Sequence, residues 1–201
     1  MDRFTIRMAT LADAAAVAEV YRPYVEGTVI SFEAEAPGAQ EMAARIGAVL
    51  EVLPWLVCEE AGRVVGYAYA SRHRDRAAYR FCVDAGVYVD GVRHRAGIGR
   101  ALYTALFVLL RRQGFHAVHA GVTLPNAASV GLHEAMGFQP VGVYRKVGWK
   151  MGAWRDVGWW QLELRERGGP PAEPLSMAEL RTTPELGEAL RAGEDRLRQA
   201  G

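Results

Sequence analysis

Ala85-Gly86-Val87-Tyr88-Val89, followed by Asp90 to Arg95 and then by Gly97-Ile98-Gly99-Arg100-Ala101-Leu102, is the stretch around which the chain is organised. The first segment mixes β-branched and aromatic residues and reads as a strand. A short basic loop follows, and two glycines open an apolar-periodic helix. N–H groups at a helix N-terminus lack intrahelical partners and carry about half a positive charge, so Gly97 and Gly99 would let a pyrophosphate approach the backbone closely. The same residues also suit a tight strand-to-helix turn with no ligand, and one Gly-x-Gly does not separate the two readings.

Working outward, 201 residues with 50% hydrophobic content fit one domain of ordinary size with a buried core. Lys+Arg 24 against Asp+Glu 23 leaves a net charge of +1, which lacks the basic footprint of a nucleic-acid binder. Cys58 and Cys82 sit in strand-like apolar runs without metal spacing, as expected of reduced thiols in a cytoplasmic protein. Met1-Asp2-Arg3-Phe4 does not open a signal segment, and the longest apolar run, Ala105 to Leu110, is far short of the ~20 residues of a membrane span.

In chain order, Phe4 to Met8 alternates like a strand, and Thr10 with Asp13 suggests a variant capping box for a helix from Leu11 to Tyr21 that ends near Pro23. A second helix runs from Pro37 to about Val52, the pair capping one edge of a sheet, with Phe32 and Glu33 in the connection. Trp55 to Glu59 and Val64 to Ala70 form a hairpin around Gly62. Arg72 to Arg80 reads either as a solvated loop or as a receptor for an oxyanion, which guanidinium groups match bidentately. In the central strand, Val83 to Val89, period two puts Asp84, Gly86 and Tyr88 on one face and the intervening residues on the other. The helix Ile98 to Gln113 ends at Gly114, and Phe115 to Thr123 returns as a strand parallel to the central one. His116 and His119 fall on opposite faces of that strand and read as structural, so no metal site is expected. Asn126 suits an N-cap for Ala127 to Met136; Val141 to Lys146 and Val157 to Leu164 finish the sheet, with Trp149, Trp154, Trp159 and Trp160 as core or interface aromatics. Beyond Arg165, Gly168-Gly169-Pro170-Pro171 breaks the pattern before two weakly helical stretches, expected to form an exposed or loosely docked appendage, with dimer or partner contact as the alternative.

His94-Arg95-Ala96-Gly97-Ile98-Gly99 resembles the acyl-CoA loop of the GNAT superfamily of N-acetyltransferases, and Asn126 to Phe138 resembles its second signature. Ser31-Phe32-Glu33, Ala78-Tyr79-Arg80-Phe81, Leu132-His133-Glu134 and Trp154 to Leu162 are similar to segments of the branch containing phosphinothricin acetyltransferase. The resemblance covers roughly residues 3–165 and implies an α/β fold: a mixed, mostly antiparallel twisted sheet flanked by helices, with a parallel β-loop-α-β acyl-CoA-binding core. A GNAT domain would then occupy residues 1–165 and a partly helical appendage residues 166–201. It further implies a bulge in the central strand that frees a backbone N–H for the thioester carbonyl, and a homodimer.

By the same resemblance, acetyl-CoA is the cosubstrate, held by Val87, Tyr88, Val89, His94, Arg95, Ala96, Gly97, Ile98, Gly99 and Arg100 together with Asn126 and Ser129. His94 stands where the family usually has Gln or Arg. Phe32, Arg74, Tyr79 and Arg80 are the expected acceptor-binding residues. Asp84 matches the family's glutamate base but is one methylene shorter, and its alternative role is to bind the neighbouring loop. His133 is expected to position the sulfur or relay protons, or else to be a satisfied helix histidine. The activity implied is acetyl transfer to the primary amine of a small amino-acid-like molecule such as phosphinothricin, methionine sulfoximine or methionine sulfone, by direct attack in a ternary complex. The alternatives are a peptide or protein N-acetyltransferase and a non-catalytic acyl-CoA-binding module.

Overall fold

Seven strands form one sheet in the order β1-β2-β3-β4-β5-β7-β6 in the computed structural model, which describes residues 4–200 apart from the Ala200 side chain. The start Met1-Asp2-Arg3 lies outside the described residues. The strands are β1 (Phe4–Met8), β2 (Trp55–Glu60), β3 (Arg63–Arg72), β4 (Cys82–Val89), β5 (Ala117–Leu124), β6 (Gln139–Lys150) and β7 (Ala153–Glu163). Helices α1 (Ala14–Glu26), α2 (Ala39–Leu50), α3 (Ile98–Gln113), α4 (Ala127–Ala135), α5 (Met177–Arg181) and α6 (Glu185–Ala200) complete the chain. Every neighbouring pair is antiparallel except β4 with β5, whose parallel pairing is made by crossing over through α3.

The sheet carries a core on each face. Val83, Ala85, Val87 and Val89 of β4 pack with α3 in the larger core, whereas Tyr67 and Tyr88 join α1 and α2 in the smaller one. The period-two reading of β4 therefore holds, but α1 and α2 cover a face of the sheet and do not cap its edge. β3 and β4 pair without interruption from Gly66↔Val89 to Arg72↔Val83, so the expected bulge in β4 is not present; a shift occurs instead between Cys58 and Glu59 of β2. What opens the central strand is divergence. β4 and β5 pair only over Cys82–Asp84 and Ala117–His119, then part, leaving the edge of β4 beyond Asp84 without a β5 partner.

Pro23 lies inside α1, not after its end. A proline in a helix interior costs about 3 kcal/mol, yet here Tyr21 and Val25 on either side of it are buried and Tyr24 bonds to β4, so tertiary packing carries the helix onward. A single 3-10 turn, Leu11–Asp13, precedes α1, with the Asp13 carboxylate accepting from Thr10 N–H at 2.7 Å as a capping box requires. The β6–β7 hairpin is longer than expected because a register shift between Tyr144 and Gly148, with Lys146 at φ 51°, absorbs the apparent strand-breaking residues. Met151 and Gly152 (φ 50° and 71°) close it in a left-handed turn.

The C-terminal segment is packed into the fold, where an exposed or loosely docked appendage was expected. Met177, Leu180, Ala189 and Leu197 are buried in the larger core, and α6 lies along α3 and β1. Gly193 permits this approach, since a Cβ there would lie 2.8 Å from the Ala101 carbonyl oxygen and from Ile6 Cδ1. Glu194 accepts a hydrogen bond from Ile6 N–H at 3.1 Å, partly satisfying the outer edge of β1. Breaker composition at residues 168–171 marks a linker, not the end of the packed structure.

Candidate active site

The loop after β4 presents its backbone to solvent. Asp90 Oδ1 accepts from Val92 N–H at 3.2 Å and turns the chain; Arg95 (φ 67°) and Gly97 (φ 78°) are left-handed, and such alternation turns successive N–H groups toward a common concavity. No side chain caps α3: its first intrahelical bond is Ala101 N–H to Gly97 C=O at 3.0 Å, so the N–H groups of Ile98, Gly99 and Arg100 are left for a ligand. A Cβ on Gly99 would lie 3.3 Å from Leu132 and under 4 Å from Val87 and Val89, in the gap between α4 and β4.

A cavity of about 570 Å³ occupies this gap and is lined by Val87, Tyr88, Val89, His94, Arg95, Gly97, Ile98, Gly99, Arg100, Asn126 and Ser129. Of the twelve residues expected at the cofactor only Ala96 does not line it; that residue packs against the larger core. Tyr24, Ile30, Arg93, Ala128 and Leu132 also line the cavity and were not anticipated. Tyr24 reaches it from α1, where no motif marks it; its hydroxyl donates to Val89 C=O and lies 2.8 Å from His94 Nε2. Thus the unusual His94 faces the free edge of β4. Asn126 is the N-cap of α4, its Oδ1 accepting from Ser129 N–H at 3.1 Å, while it also lines the cavity.

On the α1 and α2 face, at the point where β4 and β5 part, stands Asp84. The register places it between Ser71 of β3 and His119 of β5. His73, two residues beyond Ser71, turns its Nδ1 to Asp84 Oδ1 at 2.6 Å, and both side chains are largely shielded (13% and 25% exposed). Burial pushes the Asp84 carboxyl up from the ordinary range, opposed by the hydrogen bond from His73 and by the charge of Arg74. The His73 ring stacks on that of His119, centroids 4.1 Å apart and planes at 17°. His119 Nε2 donates to Gln161 Oε1 at 3.1 Å, and burial together with its imidazole neighbour lowers the His119 pKa, keeping it neutral. His119, read from the sequence as structural, thus sits against the pair containing the expected base. Ligand atoms of His73, Asp84 and His119 lie within 4.8 Å of one another. Imidazole lone pairs lie in the ring planes, however, and two stacked rings do not converge on one ion without turning.

Arg74 lies over the Trp159 ring (5.6 Å) and Tyr79 stands edge-on to His73 (5.7 Å), so these two expected acceptor residues do gather beside Asp84. Arg80 is directed elsewhere: it pairs with Glu173 at 2.6 Å and covers Phe81. Phe32 packs over the backbone of Gly148, a position with no room for a Cβ. Its loop is fixed by Lys150, whose ammonium donates to the carbonyls of Val25, Ser31 and Glu33 at 2.6–2.8 Å. Glu33 is structural, accepting from Tyr21 and both terminal nitrogens of Arg45. His133 is buried with both ring nitrogens engaged: Nδ1 donates to Ser129 C=O at 2.8 Å and Nε2 accepts from Tyr103 OH at 3.1 Å. Burial lowers its pKa.

An uncapped helix start beside a free strand edge, with a carboxylate where the strands part, is what binding and attacking an acyl-CoA requires. The acetyltransferase (GNAT) domain family matches residues 6–159. The chain is 40% identical over 172 residues to a phosphinothricin N-acetyltransferase of Streptomyces viridochromogenes, covering 85% of this chain and 94% of that protein. It is 37% identical over 169 residues to an L-methionine sulfoximine/L-methionine sulfone acetyltransferase of Salmonella typhimurium, covering 84% and 99%. The solved structure of a GNAT superfamily phosphinothricin acetyltransferase from Sinorhizobium meliloti in complex with acetyl-CoA superposes with a TM-score of 0.81 at 35% identity, covering 85% of this chain and 94% of that one. The chain belongs to the GNAT family of acetyl-CoA-dependent N-acetyltransferases.

Proposed function

We propose that the protein transfers the acetyl group of acetyl-CoA to the α-amine of a small amino acid such as phosphinothricin, methionine sulfoximine or methionine sulfone, by direct attack with both substrates bound. The observation that carries this reading is the placement of Asp84, with Arg74 and Tyr79 beside it, at the point where β4 and β5 part. The relatives named for phosphinothricin and the methionine derivatives support the acceptor class. The α3 N-terminal amides of Ile98, Gly99 and Arg100 take the pyrophosphate, while the free edge of β4 at Val87 and Val89 pairs with the pantetheine arm.

An α-ammonium with a pKa of about 8 must lose a proton before its nitrogen can attack, and the Asp84 carboxylate supplies the negative charge that favours that loss. The amine lone pair then forms the N–C bond, the C–S bond breaks, the sulfur leaves with the electron pair, and the proton that the nitrogen sheds as the amide forms neutralises the thiolate. Arg74 reads the acceptor's acidic group, with Tyr79 and Phe32 shaping the walls; Arg80 serves the tail through Glu173. His133 positions α4 through Ser129 and Tyr103, its nitrogens having no lone pair or proton left to give a substrate.

A homodimer fits the outer edge of the sheet. β6 is the terminal strand, and Val141, Trp149 and Trp154 on its hairpin are 58–62% exposed, an unusual apolar edge for a monomer. Trp149→Glu should give a monomer by light scattering if that edge is the interface. Cys58 and Cys82 are free thiols, in keeping with a cytoplasmic location, and among the described residues no helix is long and apolar enough to cross a membrane. A free-thiol release assay on phosphinothricin, both methionine derivatives, their amides and short peptides tests the substrate class. Free acids should be preferred; equal rates for an acid and its amide, or preference for peptides, would refute it.

A further inference from the structure

Asp84 does not face the acceptor alone. We infer that His73 is the catalytic base: its Nε2 takes the proton of the acceptor ammonium, and Asp84 holds the imidazole through Nδ1 and stabilises the imidazolium. This rests on the transferase reading above and adds a residue to it.

The hydrogen-bond geometry fixes the roles. Nδ1–H of His73 donates to Asp84 Oδ1 at 2.6 Å, which leaves the lone pair of His73 on Nε2, an atom with no hydrogen-bond partner among the described residues. Asp84 is short for direct reach, and one of its oxygens is already occupied by His73.

The surroundings suit a transient cation. His119 from β5 stacks on His73 as a neutral ring, its Nε2–H committed to Gln161 of β7 and its Nδ1 buried without a partner. Tyr79 and Trp159 meet the His73 ring edge-on at 5.7 and 6.2 Å. Asp84 is the anion on this side, and Arg74 and Arg167 are the cations whose charge is felt there. In the step, an N–H bond of the ammonium breaks and its proton bonds to Nε2. The freed amine closes on the thioester carbonyl, the C–S bond breaks, the second proton that the attacking nitrogen sheds as the amide forms goes to the departing thiolate, and the imidazolium releases its proton to solvent, returning His73 to neutral.

His73→Gln is the informative variant, because its amide can still donate to Asp84 while lacking a base. It should lower kcat by about 10²-fold, the usual contribution of a general base, with the acetyl-CoA KM unchanged, and abolish the near-neutral limb of the kcat/KM profile. The limb should move to lower pH in Asp84→Asn, as should the His73 imidazole titration followed by NMR. Wild-type turnover with His73→Gln retaining both rate and pH profile would overturn the assignment and leave Asp84 as the base. A folded wild-type protein that binds acetyl-CoA but acetylates no amine would sink the transferase reading itself, a distinguishable failure.

Discussion

Replacing Gly99 by valine tests whether the cavity at the start of α3 holds the cofactor. Gly99 is in the first turn of α3, and its missing Cβ points between Leu132 at 3.3 Å and Val87 and Val89 at 3.8–3.9 Å. A helical site gains a few tenths of a kcal/mol on losing glycine, while crowding Leu132 costs about 1–3 kcal/mol. A loss of that size lowers the Tm of a chain this long by about 2–4 °C per kcal/mol, leaving a folded protein at room temperature. The valine methyls would enter the space beside the free N–H groups. Losing one charge-assisted hydrogen bond to a pyrophosphate costs about 1.5–3 kcal/mol, or roughly 10- to 150-fold in Kd. Calorimetric titration with acetyl-CoA, paired with a circular-dichroism melt, reads both effects. Gly99→Ala should show the same direction with a smaller loss, because a flexible Leu132 can accommodate one carbon. Unchanged acetyl-CoA affinity in folded Gly99→Val would remove the pyrophosphate from this loop.

Three further outcomes follow from the geometry. Arg74→Gln should lower kcat/KM for free-acid acceptors by about 10-fold or more and narrow their advantage over amides, whereas Arg80→Gln should leave that ratio unchanged because Arg80 is spent on Glu173; the opposite ranking would relocate the anion receptor. The Arg7 guanidinium holds the largely buried Asp13 carboxyl below its usual range. A depressed folded pKa contributes stability that is present above the unfolded value of about 4 and is lost as pH falls through the folded one. Asp13→Asn should therefore cost about 1–3 kcal/mol at neutral pH and flatten the acid loss, as followed by urea melts; an unchanged acid limb would contradict the pairing. Gly193→Val should undock α6 from Ala101 and Ile6 and lower the Tm while leaving room-temperature KM values intact; an unaltered Tm would mean that the tail adds little to the fold.

Much of this site was legible because the motifs are made of backbone requirements. Gly97 and Gly99 report where a helix starts close to a ligand, Asn126 reports another helix start, and alternation in Val83 to Val89 reports which face carries Asp84. These are local relationships along the chain. What the sequence did not reveal depends on contacts between elements distant in sequence. Tyr24 joins the cofactor cavity only because α1 continues through Pro23, a continuation decided by packing against β4. His119 gave no signal until β5 placed it opposite Asp84. His73 was in principle recoverable: once Ser71 is paired with Asp84, the residue two further on returns to the same side. The docking of the tail was hidden because α6 is mostly polar and buries only a few small or apolar positions, notably Ala189 and Gly193.

The most direct measurement of the central claim follows acetyl-CoA labelled at its carbonyl carbon, mixed with the enzyme and methionine sulfone. The account predicts that the label appears as an α-N-acetyl amide on the free amino acid, in step with thiol release, with no labelled protein accumulating beforehand. Label retained on a side chain of the enzyme, or thiol release giving acetate with no amide, would contradict direct transfer within a ternary complex.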